Sequence, residues 1–223
     1  PGAAKFRDVN NSGTVDLDDA TCLGEVMPRH TGSFQLNFNY KNFDLSSNFN
    51  WTAGGKVYNV AAMINASGQE FDGIGAQRTS WVADTYKVYN VNSSGDLYAV
   101  TDPNELNALN ANAKYHLPYH QSGITSSEWL EDGSYLRLQT LTLGYTLPHT
   151  VLNKIHIEKL RIYLTATNLF TITGYSGIDP EVNATPTGQS GFYSNLRVFP
   201  TLNMDFGTYP RARTFTLGAN ITF

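Results

Sequence analysis

Hydrophobic and polar residues alternate strictly at the end of the chain, over residues 213–223. Every second position is hydrophobic, and threonine, glycine or asparagine lies between; the hydrophobic set is Phe215, Leu217, Ala219, Ile221 and Phe223. A period of two places the two sets on opposite faces of a β-strand. The polar face carries no charge, unlike the wet face of most soluble sheets. The pattern therefore fits a strand between lipid and a polar lumen, and equally an edge strand of a secreted sandwich.

The same alternation predicts four further strands, so the predicted fold class is all-β and antiparallel. Their positions are near residues 34–40, 43–53, 135–147 and 160–172, with the last strand at 213–223. Only Lys41 and Asn42 separate the first two strands, which predicts a hairpin with Asn42 at a positive φ. In the long segment that follows, residues 101–106 predict a short helix capped by Thr101 or Asp102.

The third predicted strand changes its hydrophobic phase partway along. Leu136 and Leu138 occupy even positions, whereas the hydrophobic residues from Leu141 onward occupy odd positions. One extra residue in the strand restores a single hydrophobic face. We therefore expect a β-bulge near Gln139 and Thr140.

The connections between the predicted strands alternate between long and short. They cover residues 1–33, 41–42, 54–133, 148–158 and 174–211. Because neighbouring antiparallel strands reverse direction, all the long connections lie at one end of the sheet. Outer-membrane barrels have long extracellular loops and short periplasmic turns, so we expect the long connections outside and Phe223 on the periplasmic side. Five strands cannot close a barrel, and strands from elsewhere must complete the wall.

Composition supports strands with long polar loops and excludes several classes of function. Charged residues are 15% of the chain, against roughly 25% in most soluble domains, and aromatic residues reach 13%. A net charge of -4 gives no basic surface, so nucleic acid is not an expected partner. The single Cys22 excludes an intrachain disulfide. The sequence contains no run of about 18 apolar residues, so it predicts no transmembrane helix. The sequence begins without a methionine or a signal peptide, which suggests a processed mature protein or part of a longer protein.

Residues 8–19 match the spacing of a calcium-binding loop. The template is D-x-[DN]-x-[DNS]-G followed by further oxygen ligands, and Gly13 falls at the sharp turn. Asp19 stands where glutamate is usual. The alternative is an ordinary Asn/Asp/Gly turn without a metal. The predicted ligands of a structural Ca²⁺ are the side chains or carbonyl groups of Asp8, Asn10, Ser12, Thr14, Asp16 and Asp19.

No arrangement of residues in the chain predicts catalysis. The carboxylates of the long connections show no paired spacing, and G-x-S-x-G, H-E-x-x-H and phosphate-binding motifs are missing from the sequence. We therefore expect a protein that is not an enzyme. Loop aromatics such as Trp81 and Tyr89 could stack on sugar rings, but the pattern assigns none of them to a substrate.

Five segments together resemble the C-terminal part of SusC/RagA-type TonB-dependent outer-membrane transporters. Two are the most specific, EDGSYLRLQTLTLGYTLP at 131–148 and LRIYLTATNLFTITGYSGIDPE at 160–181. The others occur in the same order and extend the resemblance over nearly the whole chain: KFRDVNNSGTVDLDD at 5–19, YKNFDLS at 40–46 and YPRARTFTLGANITF at 209–223.

The resemblance implies a fold and a function for residues 1–223 as a whole. The complete family member is a barrel of about 22 strands with an N-terminal plug, and the plug is absent from this chain. A SusD-like surface lipoprotein closes the extracellular mouth, and TonB acts through the N-terminal part. The cargo is an oligosaccharide or an oligopeptide. The family's acidic loop corresponds to residues 8–19, although here Asn11 replaces the commoner glycine and Ser12 the commoner aspartate.

A self-contained secreted β-module is the alternative interpretation. Such a module would bind calcium and act in adhesion or carbohydrate binding. It would be a water-soluble monomer, and protein would cover the hydrophobic face of its last strand. Solubility without detergent therefore distinguishes it from a transporter in the outer membrane of a Gram-negative cell.

Overall fold

Five long strands form one antiparallel sheet in the computed structural model, which describes residues 2, 4–67, 83–116, 126–152, 157–182 and 203–223. The strands are β1 (His30–Tyr40), β2 (Phe43–Ala53), β7 (Tyr135–Thr146), β8 (Lys159–Thr173) and β9 (Thr214–Thr222). Two small sheets pair β3 (Lys56–Tyr58) with β6 (Leu130–Asp132), and β4 (Tyr89–Val91) with β5 (Leu97–Ala99). The helices that lie wholly within the described residues are α1 (Val60–Ser67), α2 (Pro103–Leu109) and α3 (His149–Leu152), with 3-10 turns at Leu17–Asp19 and Ser127–Trp129.

The long strands lie where the alternation predicted them, and their spatial order is β1-β2-β7-β8-β9. β1 begins at His30, four residues before the predicted start, because Gly32 and Ser33 extend its pairing with β2 without adding hydrophobic residues. Within the described residues, β1 and β9 each have a single neighbouring strand. The outer edges of the sheet are therefore open to further strands.

The predicted bulge is confirmed, and it involves two strands. Asn48 and Phe49 are adjacent on β2 and pair with Thr140 and Leu138, so Gln139 is the extra residue of β7. On the other side, Leu138 pairs with Phe170 and Thr140 with Thr167, so Gln139 lies opposite two residues of β8. The first of these, Asn168, has a φ of 50°, in the left-handed region that asparagine tolerates. As a result, hydrophobic side chains stay on one face on both sides of the bulge.

Two local predictions had different outcomes. The short helix is confirmed, because Asp102 caps α2 by accepting a hydrogen bond from the amide of Asn104 at 3.0 Å. The β1–β2 hairpin is also confirmed, but the residue at positive φ is Lys41 (53°) and not Asn42, so that part of the prediction was wrong. The carbonyl oxygen of Asn42 instead accepts a hydrogen bond from the amide of Thr146 on β7 at 2.8 Å, which fixes the second turn residue against the sheet.

The two faces of the sheet differ in chemistry and in coverage. One face carries the hydrophobic residues of all five strands, in register across the sheet, and many of them are exposed. Leu217 is 75% exposed and Phe215 is 64% exposed. The other face carries asparagine, glutamine, threonine and serine, with few charges. The sheet is therefore hydrophobic on a face that the described chain leaves uncovered.

The chain divides into two compact units. The first contains the acidic loop, α1, the β4–β5 hairpin and α2, and the second contains the five-stranded sheet with β3 and β6. The buried hydrophobic cluster of the second unit consists of Val57, Tyr175 and Val182. No helix in the described ranges is long and apolar enough to cross a membrane.

Candidate functional site

Neutral hydrogen-bonding side chains cover most of the polar face of the sheet. Asn50 on β2 donates to the side-chain oxygen of Gln139 on β7 at 2.7 Å. The hydroxyl groups of Thr142 and Thr165 are 2.9 Å apart on β7 and β8. Thr167 and Thr214 form a similar hydroxyl pair between β8 and β9. These pairs stabilise neighbouring strands and leave a hydrated, largely uncharged wall.

One ion pair crosses this face between strands that are not neighbours. Arg161 on β8 reaches over β7 to Asp44 on β2, with Nε 2.9 Å from Oδ1 and Nη2 2.5 Å from Oδ2. Gly144 of β7 is the strand partner of Asp44, whereas Arg161 pairs with Thr146, so the guanidinium group extends diagonally across Gly144 to reach the carboxylate. A side chain at this position would overlap both charged groups, so the glycine makes the two-pronged contact possible.

We expect Gly144→Ala to lower the free energy of unfolding by about 1–3 kcal/mol, because the added methyl group overlaps Asp44 and Arg161. Urea unfolding of the full-length protein in lipid vesicles measures this change. Gly174→Ala is the matched control, since nothing lies within 4 Å of its added carbon. Equal stabilities of the two variants would contradict the role of Gly144.

A buried polar cluster lies at the end of the sheet where the long connections begin. Residues 174–182 and 203–213, which we call the loop base, meet β7 there. Arg137 Nη2 is 2.5 Å from Asp179 Oδ1, and Nη1 is 3.6 Å from Glu181 Oε2. Arg211 Nη2 is 2.6 Å from Glu181 Oε1, and its amide lies 3.4 Å from Asp179 Oδ2. The side chains of Arg137 and Asp179 are 3% and 8% exposed, so this network is largely removed from water.

A second buried contact joins the two halves of the loop base. The hydroxyl group of Tyr175 donates to Asp205 Oδ2 at 2.6 Å. Burial raises the pKa of Tyr175, and the hydrogen bond to Asp205 raises it further. Burial also acts to raise the pKa of Asp205, but hydrogen bonds from the amide of Thr208, from Tyr175 and from the amide of Gly207 outweigh it and lower the pKa. Tyr175 therefore stays neutral beside an ionised Asp205.

A third contact holds the loop base to the small β3–β6 sheet. Glu131 on β6 accepts hydrogen bonds from the amide of Ser176 at 2.7 Å and from the side chain of Asn59 at 2.9 Å. Asn59 is 2% exposed. The carboxylates of Glu131, Asp179 and Glu181 thus have structural partners within this part of the chain.

The acidic loop is closed by its own backbone. Asp8 accepts hydrogen bonds from the amides of Ser12 (3.1 Å) and Gly13 (2.8 Å), and Asp19 accepts from those of Val9 (2.7 Å) and Asp16 (2.9 Å). The hydrogen bond from the Asp16 amide, followed by that from Val9, lowers the pKa of Asp19, whose side chain also lies within hydrogen-bonding reach of Asp8.

The remaining predicted ligands of this loop contact the backbone. Asn10 accepts from the Ser12 amide at 2.9 Å, Ser12 donates to the carbonyl oxygen of Thr14 at 2.9 Å, and Asp16 caps the following 3-10 turn. Among the described residues, no group of three or more His, Cys, Asp or Glu side chains is arranged to hold a metal ion. The fold brings two carboxylates of the predicted set together, and calcium binding stays a prediction.

Of the two aromatic residues considered for stacking on sugar rings, only Tyr89 lies within the described residues. Tyr89 is 59% exposed on the β4–β5 hairpin, whereas Trp81 lies outside the described residues. Sequence reasoning missed the buried network around Arg137. A charged residue between Leu136 and Leu138, on a strand face that is otherwise neutral, was the available signal.

Comparisons with known proteins relate the whole chain to receptors of one kind. It is 30% identical over 223 residues to TonB-dependent receptor P3 of Formosa agariphila, covering 100% of this chain and 19% of that receptor. TonB-dependent receptor P26 of the same organism is also 30% identical, over 20% of its length. TonB-dependent receptor SusC of Bacteroides thetaiotaomicron is 27% identical over 98% of this chain and 17% of the receptor. No protein-family model matches.

Solved structures show the same fold. A chain in the structure of the RagAB peptide transporter superposes with a TM-score of 0.62 at 22% identity, covering 95% of this chain and 20% of that one. The RagAB peptide importer in its closed-closed state gives a TM-score of 0.58, also at 22% identity and 95% coverage of this chain. The chain spans about a fifth of the length of the curated relatives that it matches. The resemblance in the sequence motifs is therefore confirmed: over its whole length the chain is homologous to part of the TonB-dependent receptors, SusC among them, and it shares the fold of the corresponding part of a RagAB transporter chain.

Proposed function

We propose that this chain forms part of the wall of an outer-membrane transporter that imports nutrients. The single observation that carries the proposal is the two-faced sheet, which is hydrophobic on an uncovered face and neutral and polar on the other. Lipid is the solvent that makes such a hydrophobic face stable, and a hydrated lumen suits the polar face. The homology to TonB-dependent receptors supports the same conclusion.

The height of the hydrophobic face fits a membrane. The eight residue steps from Phe43 to Trp51 on β2 correspond to about 27 Å along the strand, or about 21 Å along the membrane normal at a tilt of about 40°. The hydrophobic band of outer-membrane barrels is about 25 Å tall. On the hydrophobic face, the one polar residue within this stretch of β2 is Ser47. Its hydroxyl group donates a hydrogen bond to the carbonyl oxygen of Leu36 at 3.3 Å, so it has a partner away from water.

The open edges of β1 and β9 require the rest of the receptor. In lipid, each unpaired backbone group costs several kcal/mol, so further strands of the same protein complete the wall. We propose that a plug fills the lumen, that TonB acts on the plug, and that a SusD-like surface lipoprotein covers the mouth. The proposed cargo is an oligosaccharide or an oligopeptide; the structural relatives are described as a peptide transporter.

Extraction of the native protein tests this function. We expect the chain inside a receptor roughly five times its length, extracted only with detergent, together with a surface lipoprotein. Cells without the receptor should lose uptake of labelled oligosaccharides or labelled oligopeptides, and the class that is lost identifies the cargo. A soluble 24.6 kDa monomer that needs no detergent would contradict the proposal and favour the secreted module.

We also propose that residues 8–19 bind a structural Ca²⁺. The spacing of the oxygen-bearing residues supports this, together with Gly13, whose φ of 87° makes the sharp turn that such a loop requires. The remaining ligands would be Asn10, Ser12, Asp16 and the carbonyl oxygen of Thr14. Removing the ion should loosen this loop without disturbing the sheet.

Terbium luminescence of the full-length receptor measures this site. Asp8→Asn combined with Asp16→Asn should weaken ion binding by about tenfold or more. Asp18→Asn is the matched control, because Asp18 lies in the same loop outside the proposed ligand set. Unchanged affinity in the double variant would rule out a calcium site here.

A further inference from the structure

The loop base crosses the sheet on its polar face. Arg137 lies on that face, since its strand partners are Asn50 and Thr171, while Leu136 and Leu138 point to the other. Its guanidinium group binds Asp179 and Glu181, so the loop base covers the polar side of β7. On the opposite face at the same end, Ile172 is 62% exposed. The connection therefore folds to one side of the wall.

The two halves of the loop base run alongside each other in the same direction. Tyr175 contacts Asp205 at their beginnings, and Asp179 contacts the amide of Arg211 further along both segments. The second half begins beside β3, where the amide of Tyr58 donates to the carbonyl oxygen of Asn203 at 2.9 Å. It then continues to β9. The loop base thus extends across the end of the sheet from β3 to β9.

We infer that the loop base forms an inward rim that narrows the extracellular mouth of the transporter and presents Tyr209 and Ile178 to the passing solute. This inference rests on the proposed function, because the polar face becomes the lumen only in a barrel. Residues 175–181 and 205–211 are held by buried contacts, so the rim is fixed in place. At its base, the connection between β8 and β9 therefore turns toward the lumen instead of extending straight outward from the membrane.

Two exposed side chains give this rim its chemistry. Tyr209 is 88% exposed and Ile178 is 67% exposed, although both neighbour buried residues of the loop base. The common direction of the two segments brings these side chains to similar positions along the rim. The same two segments carry the Glu181–Arg211 pair, whose side chains are 29% and 42% exposed. A rim with an aromatic ring and paired charges suits a solute with an apolar face edged by hydrogen-bonding groups, such as a sugar ring or a peptide side chain.

Thiol labelling of the purified full-length receptor, without its lipoprotein, tests the rim. Tyr209→Cys and Leu97→Cys are made with the native cysteines, including Cys22, replaced by serine. Leu97 is 74% exposed on the β4–β5 hairpin and serves as the control. The probes are a small methanethiosulfonate reagent and a maleimide that carries a long polyethylene glycol chain.

We expect the small reagent to modify both positions, and the large reagent to modify Tyr209→Cys about tenfold more slowly than Leu97→Cys. Asp179→Asn, which weakens the attachment to Arg137, should remove most of this difference. If that variant fails to fold, Arg211→Gln removes the more exposed ion pair instead. Each variant is compared with its parent by heat-modifiable migration in gels.

Equal access of the large reagent to both positions would overturn the inference, because the mouth would then not slow its access to Tyr209. Protection of Tyr209→Cys from both reagents would also overturn it, since the side chain would be covered by protein. A large difference that persists in both Asp179→Asn and Arg211→Gln would show that something other than the loop base narrows the mouth. Failure of the proposed function itself is distinct, because the receptor would then lack heat-modifiable migration altogether.

Discussion

Leu217→Arg is expected to lower the free energy of unfolding of the full-length receptor in lipid by about 2–4 kcal/mol. Leu217 lies near the middle of β9, opposite Leu164 of β8, and is 75% exposed on the hydrophobic face. An arginine there must bring its charge into the hydrocarbon layer or distort the strand to reach the interface. Urea unfolding in lipid vesicles, together with the yield of heat-modifiable receptor, measures the effect.

Thr216→Arg is the matched control for this substitution. Thr216 is the preceding residue of the same strand and points to the polar face, opposite Thr165. We expect a much smaller loss of stability, because water or polar groups surround an arginine on that side. A neutral result for Leu217→Arg, or equal losses for both variants, would refute the assignment of the two faces.

Arg137→Met is expected to lower the free energy of unfolding by about 3–5 kcal/mol. The substitution keeps much of the side-chain volume but leaves the carboxylate of Asp179, 8% exposed, without its buried counter-charge. The loss should therefore exceed that of an exposed ion pair. Protease cleavage within the connection between β8 and β9 should also become faster, because Arg137 joins the loop base to β7.

Two comparisons isolate the buried charge as the cause. Arg29→Met breaks the exposed Arg29–Glu25 pair, whose side chains are 69% and 60% exposed, and should change stability by less than about 1 kcal/mol. Adding Asp179→Asn to Arg137→Met should recover part of the loss, because it removes the uncompensated charge. If Arg137→Met and Arg29→Met have the same effect, the buried network does not stabilise the loop base.

The long strands were predictable because their information is local. Alternation along each strand identifies its two faces, and the change of phase between Leu138 and Leu141 located the bulge before any partner strand was known. The three-residue strands β3 and β6 were not predictable, since they are too short to show a period. They form because distant segments hold them, as when the amide of Tyr58 donates to the carbonyl oxygen of Asn203 at 2.9 Å.

The buried network illustrates what a single sequence leaves out. Alternation places Arg137 on the polar face, but its partner Asp179 follows 42 residues later, across a strand and a turn. Nothing local distinguishes Asp179 from the other acidic residues of the long connections. The acidic loop is the opposite case, because its spacing is local and its backbone closure around Asp8 follows from the turn at Gly13.

The contact between Arg161 and Asp44 has a consequence for how the wall assembles. Because it joins β8 to β2 over Gly144, it can form only when three strands are aligned at once. A slip of β7 by two residues keeps every side chain on its correct face and would be tolerated by the hydrophobic pattern. It would, however, place Thr142 or Thr146 beneath the arginine, where a side chain blocks the ion pair. The glycine thus favours one of two registers that alternation alone treats as equal, and the ion pair that selects this register lies on the polar face of the sheet.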